Sequence, residues 1–336
     1  MDFGGMSCNF KLMLFASFLA TGLLATGCGG QRFQTPNIDS QYRKMLELQQ
    51  QRSNFSKEER ELEKRLPEGS PELYERLGDG YLGQGNQAMA FIEYSKALRV
   101  DPKRLSARQK IGYLLLKRDM YAEAFKEFDA VVTAQPKNAG ALQGKATALL
   151  HMNRLDDARQ VLSAAIEAEP ALWQAHILSG IIHDRKKEFG PATEAYRKAI
   201  SINPKSALAY NNLGISHYAL GNYRQSAEAL LTALNLDPSS KKTYNNLGLA
   251  LFRMNMYEDS LEAFKKGGDE ASAYNNVGVL YLKDGQHEKA IAAFEKAIEL
   301  KPSYYVTAQS NLEKARAALK ADKGPFPGSP CQLPAN

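Results

Sequence analysis

The chain has 336 residues, 44% hydrophobic and 24% charged with 14 prolines, the composition of an ordered protein rather than a disordered one. That length exceeds what one compact core usually organises, so two domains or an array of repeats is expected. The net charge of +6 is unevenly placed: residues 71–300 hold 29 basic and 27 acidic side chains with no basic stripe, which excludes nucleic acid as the partner.

Lys11 precedes LMLFASFLATGLLATGC, an apolar run ending in Ala25-Thr26-Gly27-Cys28. It falls short of the roughly 20 apolar residues a spanning helix needs. A short apolar run closed by small residues reads as a secretory signal over residues 1–27. Its ending resembles the lipobox of bacterial lipoproteins, in which the cysteine is acylated and becomes the first residue of the mature chain. The resemblance implies lipidation (palmitate among the chains) at Cys28, although Ala25 stands where Leu is usual and Leu24 lies one place back. An ordinary cleaved signal with an incidental Cys28 is the alternative. Each buried methylene contributes about 0.8 kcal/mol, so several chains make a stable tether. Gly29 after the cysteine, where an inner-membrane retention signal would place Asp, implies sorting to the outer membrane, with the chain facing the periplasm. Cys8 leaves with the signal and Cys331 lies near the other end, so the body has no internal disulfide and depends on packing.

Residues 28–70 read as the lipidated cysteine and a polar tether. QYRKMLELQQQRSNFSKEERELEKRL is mixed in charge, with too few apolar positions for a continuous stripe. From residue 71 a period appears. YNNLG at Tyr210–Gly214 returns at Tyr244–Gly248 and, as YNNVG, at Tyr274–Gly278. Stepping back by 34 from its glycine gives Gly78, Gly112, Ala146, Gly180, Gly214 and Gly248, and Gly278 follows after a step of 30. Twelve residues further on stands a small residue (Ala90, Ala124, Ala158, Ala192, Ser226, Ser260, Ala290), and four beyond it a large one (Tyr94, Phe128, Leu162, Tyr196, Leu230, Phe264, Phe294). A proline closes every unit but the sixth.

Each column has a physical reason. The large residues fall on one face of each of two helices. A glycine inside a helix costs about 0.5–1 kcal/mol relative to alanine, so its recurrence implies close approach of the two helices, which is assigned to small pairs such as Gly78 with Ala90. Proline cannot continue the helix before it. No such hairpin buries its apolar face alone, so stability must come from stacking. In the sixth unit Gly267-Gly268 replaces the proline and is expected to supply a left-handed stop. The missing four residues remove about one helical turn, either a tolerated deletion or a local hinge.

YERLGDGYLGQGNQAMAFIEYSKALRVDP and YNNLGISHYALGNYRQSAEALLTALNLDP resemble the tetratricopeptide repeat in nearly every column. The resemblance covers residues 71–304 in seven units (71–104, 105–138, 139–172, 173–206, 207–240, 241–270 and 271–304). It implies an all-α, right-handed superhelical solenoid of helix-turn-helix units. Residues 305–320 are expected to form a capping helix, and 321–336, rich in proline, a disordered tail. In this family the first helix of each unit lines the concave surface. There, in units five to seven, lie Asn211, Asn212, Asn245, Asn246, Asn275 and Asn276, flanked by Tyr218, Phe252 and Leu282, with Arg253 and Lys283 one residue on. An amide both donates and accepts, so a row of them can hold an extended partner whatever its sequence. Asn212, Asn246 and Asn276 divide evenly between this groove and bonds among neighbouring helices, whereas Asn211, Asn245 and Asn275 are assigned to the groove. The Lys/Asn clamp with which some relatives grip carboxy-termini is not reproduced.

Signals for catalysis fail their context tests. GQGNQA at Gly83–Ala88 fits a dinucleotide pattern, but it falls in the turn of unit one with no strand before it. The histidines show no metal-ligand spacing, and His183 and His217 share an apolar column. No enzyme, metal, cofactor or small-molecule substrate is expected. Lipobox and repeats together resemble the lipoproteins of tight-adherence (Flp) pilus systems, with type IV pilotins as near relatives. The resemblance implies a membrane-anchored interaction scaffold assisting assembly of a pilus or secretion channel, with envelope proteins, pilus or secretin components among them, as partners. The other reading is an adaptor that recruits envelope enzymes such as cell-wall hydrolases or a protease.

Overall fold

The computed structural model describes residues 69–301 and 305–322, all within one compact unit. The lipobox with Cys28, most of the tether and the proline-rich end lie outside the described residues. Within them are 15 α-helices and no strand. The first unit pairs α1 (Pro71–Gly83) with α2 (Gln87–Val100), and the second α3 (Leu105–Lys117) with α4 (Tyr121–Ala134). Next come α5 (Ala139–His151) with α6 (Leu155–Ala168), α7 (Trp173–Arg185) with α8 (Phe189–Ile202), and α9 (Ala207–Ala219) with α10 (Tyr223–Leu236). The last two pairs are α11 (Lys241–Arg253) with α12 (Tyr257–Gly267) and α13 (Glu270–Lys283) with α14 (His287–Leu300), followed by α15 (Val306–Asp322). Each helix packs on the next in the chain, giving the all-helical solenoid that the repeat pattern implies.

Local sequence chemistry sets the helix ends. Ser70, Asn86, Asn138, Ser206, Ser240 and Asp269 accept a backbone N–H of the first turn of α1, α2, α5, α9, α11 and α13, satisfying a donor that the helix itself cannot. Every turn inside a hairpin places one residue in the left-handed region, and it falls seven positions after the glycine column. Glycine, Asn or Asp occupies it in six units, as the backbone there favours. Lys187, at φ 60°, is the exception.

The glycine column has a larger partner beside the small one. A Cβ at Gly78 would strike the ring of Tyr94, and one at Gly112, Gly180, Gly248 or Gly278 the ring of Phe128, Tyr196, Phe264 or Phe294, closer than 3.0 Å in each case; at Gly214 it would strike Leu230. The tightest contact is therefore glycine against the large residue four beyond Ala90, with the small column beside it: in unit six Ser260 Oγ donates to the Gly248 carbonyl at 2.7 Å. These large residues are among the most deeply buried in the chain. Phe128 also crosses to the next unit, where it fills the space left by Gly144 of α5.

Successive cores overlap rather than stand apart. One cluster joins Leu142 and Leu149 of α5, Leu162 of α6 and Ile182 of α7, so a hairpin and the following first helix share it. The pattern repeats with Leu230, Leu234 and Leu247, and with Phe252, Phe264 and Leu280. After the seventh hairpin α15 supplies Leu312 and Ala315 against Ala290 and Phe294, covering the apolar face of that hairpin.

The short sixth step is divided between helix and linker. Helix α12 has 11 residues where α10 has 14, and only Gly268 and Asp269 separate it from α13. Gly268 stands at φ −157° and ψ −143°, so the expected left-handed stop is not formed. The glycine that matters is Gly267: a Cβ there would collide with the Asn245 side chain and reach 3.0 Å from the Lys241 carbonyl oxygen. The shortened helix thus ends against the start of α11, a contact that only glycine permits.

Two glycines in one helix test the packing argument. Gly78→Ala should lower stability by about 1–3 kcal/mol through overpacking against Tyr94. Gly80→Ala, with nothing within 4 Å of its added carbon, should raise it by about 0.5–1 kcal/mol. Chemical unfolding followed by circular dichroism measures both; equal effects would refute the packing argument.

Candidate protein-binding face

The asparagines of units five to seven are bonded mostly to one another and to neighbouring repeats. Asn211 is 5% exposed. Its Oδ1 accepts from Asn246 Nδ2 of the next first helix at 3.0 Å and from Thr243 Oγ1 at 3.2 Å, while its Nδ2 donates to Asn212 Oδ1 at 3.1 Å. Asn245 Nδ2 donates to the Gly267 carbonyl at 3.4 Å. Asn275, 7% exposed, accepts from Asn311 Nδ2 of α15 at 3.1 Å. Asn276 is half-exposed and has no side-chain partner among the described residues.

The same column does the same work with other chemistry in the first unit. Glu75, in the position of Asn211, is buried and meets Lys110 at 2.8 Å, in the position of Asn246; Ser106 Oγ donates to it at 2.8 Å and Arg104 Nε at 2.5 Å. Both pairs are 35 residues apart, one repeat plus one. The rule extends along the helices: Arg253 Nε donates to Tyr218 Oη at 3.4 Å and Arg185 Nη1 to the Leu150 carbonyl at 2.6 Å, again at a separation of 35. Sequence reading missed these rungs, although charged and amide pairs at that spacing would have revealed them.

The flanking residues separate into core and surface. Phe252 is 1% exposed and packs edge-on against Tyr257 and Tyr281 with centroids 5.1 and 5.0 Å away, so it belongs to the packing and lines no groove. Tyr218 and Leu282 are half-buried, and Lys283 is exposed. Arg253 is half-buried and also paired with Asp284 at 2.5 Å; the hydrogen bond to that carboxylate, reinforced by Tyr218, raises its pKa further above the usual range. Between the Asn246–Asn276 column and the Tyr218 column runs a line of half-buried aliphatic residues, Ile181, Ile215, Leu249 and Val279. These stand three residues from either column, hence beside both on the helix surface.

Two carboxyls on this face are shifted in opposite directions. Burial works against ionisation of Glu75, but hydrogen bonds from Lys110, Arg104 and Ser106 outweigh it and hold the pKa below the usual range. Burial also pushes Asp184 up, and there it prevails over the hydrogen bonds from Ser216 and Tyr196. The histidines form no centre. His217 is buried with an unpartnered Nδ1, its pKa lowered by burial and then by Arg197. His183 bonds Glu188 at 2.5 Å and Arg159 at 3.0 Å. Among the described residues no group of His, Cys, Asp and Glu is placed to hold a metal ion, and no helix is long and apolar enough to cross a membrane. GQGNQA spans the α1–α2 turn.

Helical hairpins stacked through shared cores define a repeat solenoid, and the comparisons agree. Models described as tetratricopeptide repeat match residues 115–176 and 271–304, and one described as TPR repeat matches 185–221 and 216–255. These matches assign tetratricopeptide repeats to residues 115–176, 185–255 and 271–304, and such repeats indicate a protein–protein interaction scaffold. No curated protein matches the sequence. Among solved structures, a tetratricopeptide repeat protein from Parabacteroides merdae is 18% identical with a TM-score of 0.53, over 73% of this chain and 98% of its own. The Cut9–Hcn1 hetero-tetramer of the APC/C gives 17% identity and a TM-score of 0.52, over 83% of this chain and 64% of its own. Both likenesses concern the fold.

Asn211→Ala should cost about 1–3 kcal/mol, because the Asn246 amide and buried Thr243 hydroxyl lose their acceptor. Asn276→Ala should stay within about 0.5 kcal/mol; equal losses in denaturant titrations would contradict the difference in bonding. For Glu75 the sign is that of a depressed acid: its stabilisation is complete above the ordinary glutamate pKa of about 4.3 and is lost as pH falls through its lower folded value. Glu75→Gln should therefore cost about 1–3 kcal/mol at pH 7, and the cost should vanish in acid. A pH-independent cost would refute that linkage.

Proposed function

We propose that the protein is a non-catalytic scaffold of the bacterial envelope, lipid-anchored at Cys28 to the outer membrane and facing the periplasm. In this reading it assists assembly of a pilus or secretion channel by holding an extended segment of a pilus or secretin component along the first helices of units four to seven. The observation that supports the binding surface is the half-buried aliphatic line of Ile181, Ile215, Leu249 and Val279. It offers apolar grip beside the amides of Asn246 and Asn276 and beside Tyr218, Arg253 and Lys283. Asn211, Asn212, Asn245 and Asn275 act behind this surface by fixing the spacing of the helices that carry it, and Phe252 acts from the core.

The anchoring rests on the run that closes at Ala25-Thr26-Gly27-Cys28. Cys28→Ser should move the protein from the membrane to the soluble fraction and abolish palmitate labelling; unchanged membrane retention would remove the lipid anchor from the reading. Crosslinking with mass spectrometry in the native host should recover pilus or secretin components with the wild type and lose them with Leu249→Ala/Asn276→Ala, a variant whose helix content is checked by circular dichroism because Leu249 also packs on the core. Recovery of cell-wall hydrolases or a protease would transfer the role to enzyme recruitment. An unchanged partner set would place the working surface elsewhere.

A further inference from the structure

Asp184 breaks a column. At its position the other first helices carry Leu82, Leu116, Leu150, Tyr218, Phe252 and Leu282, apolar or aromatic in every case. A carboxylate here is half-buried, and each of its oxygens accepts one neutral donor: Tyr196 Oη lies 2.7 Å from Oδ2 and Ser216 Oγ 2.7 Å from Oδ1. No Lys or Arg among the described residues pairs with it. The cations beside it in sequence are directed elsewhere, Lys186 to Asp156 and Arg185 to the Leu150 carbonyl. Two neutral hydroxyls compensate a desolvated negative charge only in part.

The chain contains a second tyrosine–carboxylate pair, built from a different column: Asp79 stands three places before the position of Asp184, in the column of Ile181. In the first unit Tyr94, the counterpart of Tyr196, donates to Asp79 Oδ1 at 2.7 Å. There the Lys110 ammonium lies 2.7 and 2.8 Å from the two Asp79 oxygens and 5.4 Å from the centroid of the Tyr94 ring. The lysine comes from the sixth residue of the neighbouring first helix. In the fifth unit that position is Asn212, whose side-chain oxygen is occupied by Asn211. The tyrosine–carboxylate pair of unit four thus has no ammonium of the kind that Lys110 supplies in unit one, and it sits next to the aliphatic line described above.

We propose that Asp184, with the hydroxyls of Tyr196 and Ser216, anchors a lysine side chain of the partner polypeptide. This rests on the proposed binding of an extended segment, and it adds a chemical requirement: apolar residues to lie along Ile181 and Ile215, and one lysine at a fixed distance from them. The ammonium supplies the charge that the two hydroxyls do not, and its aliphatic stem lies along the groove wall. Arginine fits less well, because each carboxylate oxygen already accepts one hydroxyl, which works against the bidentate pairing that a planar fork makes.

The test is selection of a displayed random peptide library on the full-length protein, in parallel on wild type, Asp184→Asn and Asp184→Leu. Asparagine retains an oxygen for the hydroxyls, and leucine is the residue four other units carry, so the pair guards against a variant that fails to fold. Wild type should select peptides sharing one lysine position, and both variants should lose that preference. Replacing the lysine of a selected peptide by norleucine should weaken its binding to wild type by about tenfold or more, a readout that needs no variant. Peptides with no shared lysine, a preference that survives in the variants, or norleucine without effect would each overturn the lysine anchor while leaving peptide binding intact. Failure of wild type to select any peptide would overturn the proposed binding face and this inference with it.

Discussion

Six of the seven hairpins depend on a helix glycine pressed against a large side chain; the third carries Ala146 in its place. With Gly78 on Tyr94, Gly180 on Tyr196 and Gly278 on Phe294, a β-carbon would not fit. The two helices therefore sit closer than ordinary side chains allow, and the large residue is sealed at the centre of its unit. The cost of a helical glycine is about 0.5–1 kcal/mol, against about 1.5–3 kcal/mol gained by burying a phenylalanine. With hairpin geometry set this way, each unit presents the next with the same surface, and the shared cores follow. So does α15, which covers the face left over.

That regular spacing lets polar groups meet across units. Residues 35 apart face one another on successive first helices, and the chain uses this meeting with two chemistries. In the first units it places Glu75 against Lys110, and in the fifth and sixth Asn211 against Asn246. Both tie neighbouring repeats at one depth. The amide version leaves a neutral surface over which an aliphatic line is accessible, and the ionic version leaves a charged one. Asp184 borders the neutral stretch with a carboxylate that has donors but no Lys or Arg partner among the described residues. A scaffold whose rungs are internally satisfied has its specificity in the few groups that are not.

Much of the fold was legible in the sequence because a repeat states each constraint several times. Seven glycine-column residues with a large residue sixteen positions on sufficed to give paired helices and their stacking. What spacing left out was the larger partner of the glycine. Ala90 and Tyr94 lie one turn apart on the same face of α2, and spacing alone does not tell which of them meets Gly78 more tightly. The asparagines were harder for a similar reason. Read within one unit, YNNLG offers two amides of unknown outlook; only comparison between units, at a spacing of 35 rather than 34, shows that Asn211 turns to its neighbour. Gly267-Gly268 suggested a left-handed stop from composition, whereas a contact from Asn245, twenty-two residues earlier, is what demands glycine there.

The account's central claim is that polar rungs couple neighbouring repeats directly. A double-mutant cycle on Asn211→Ala and Asn246→Ala, read by reversible denaturant unfolding, measures that coupling without assigning the whole cost to either residue. A coupling of about 0.5–3 kcal/mol is predicted, with the double variant less destabilised than the two single losses summed. Strict additivity would contradict the account: each asparagine would then act alone, and the YNNLG motif would owe its recurrence to something other than the bond between units.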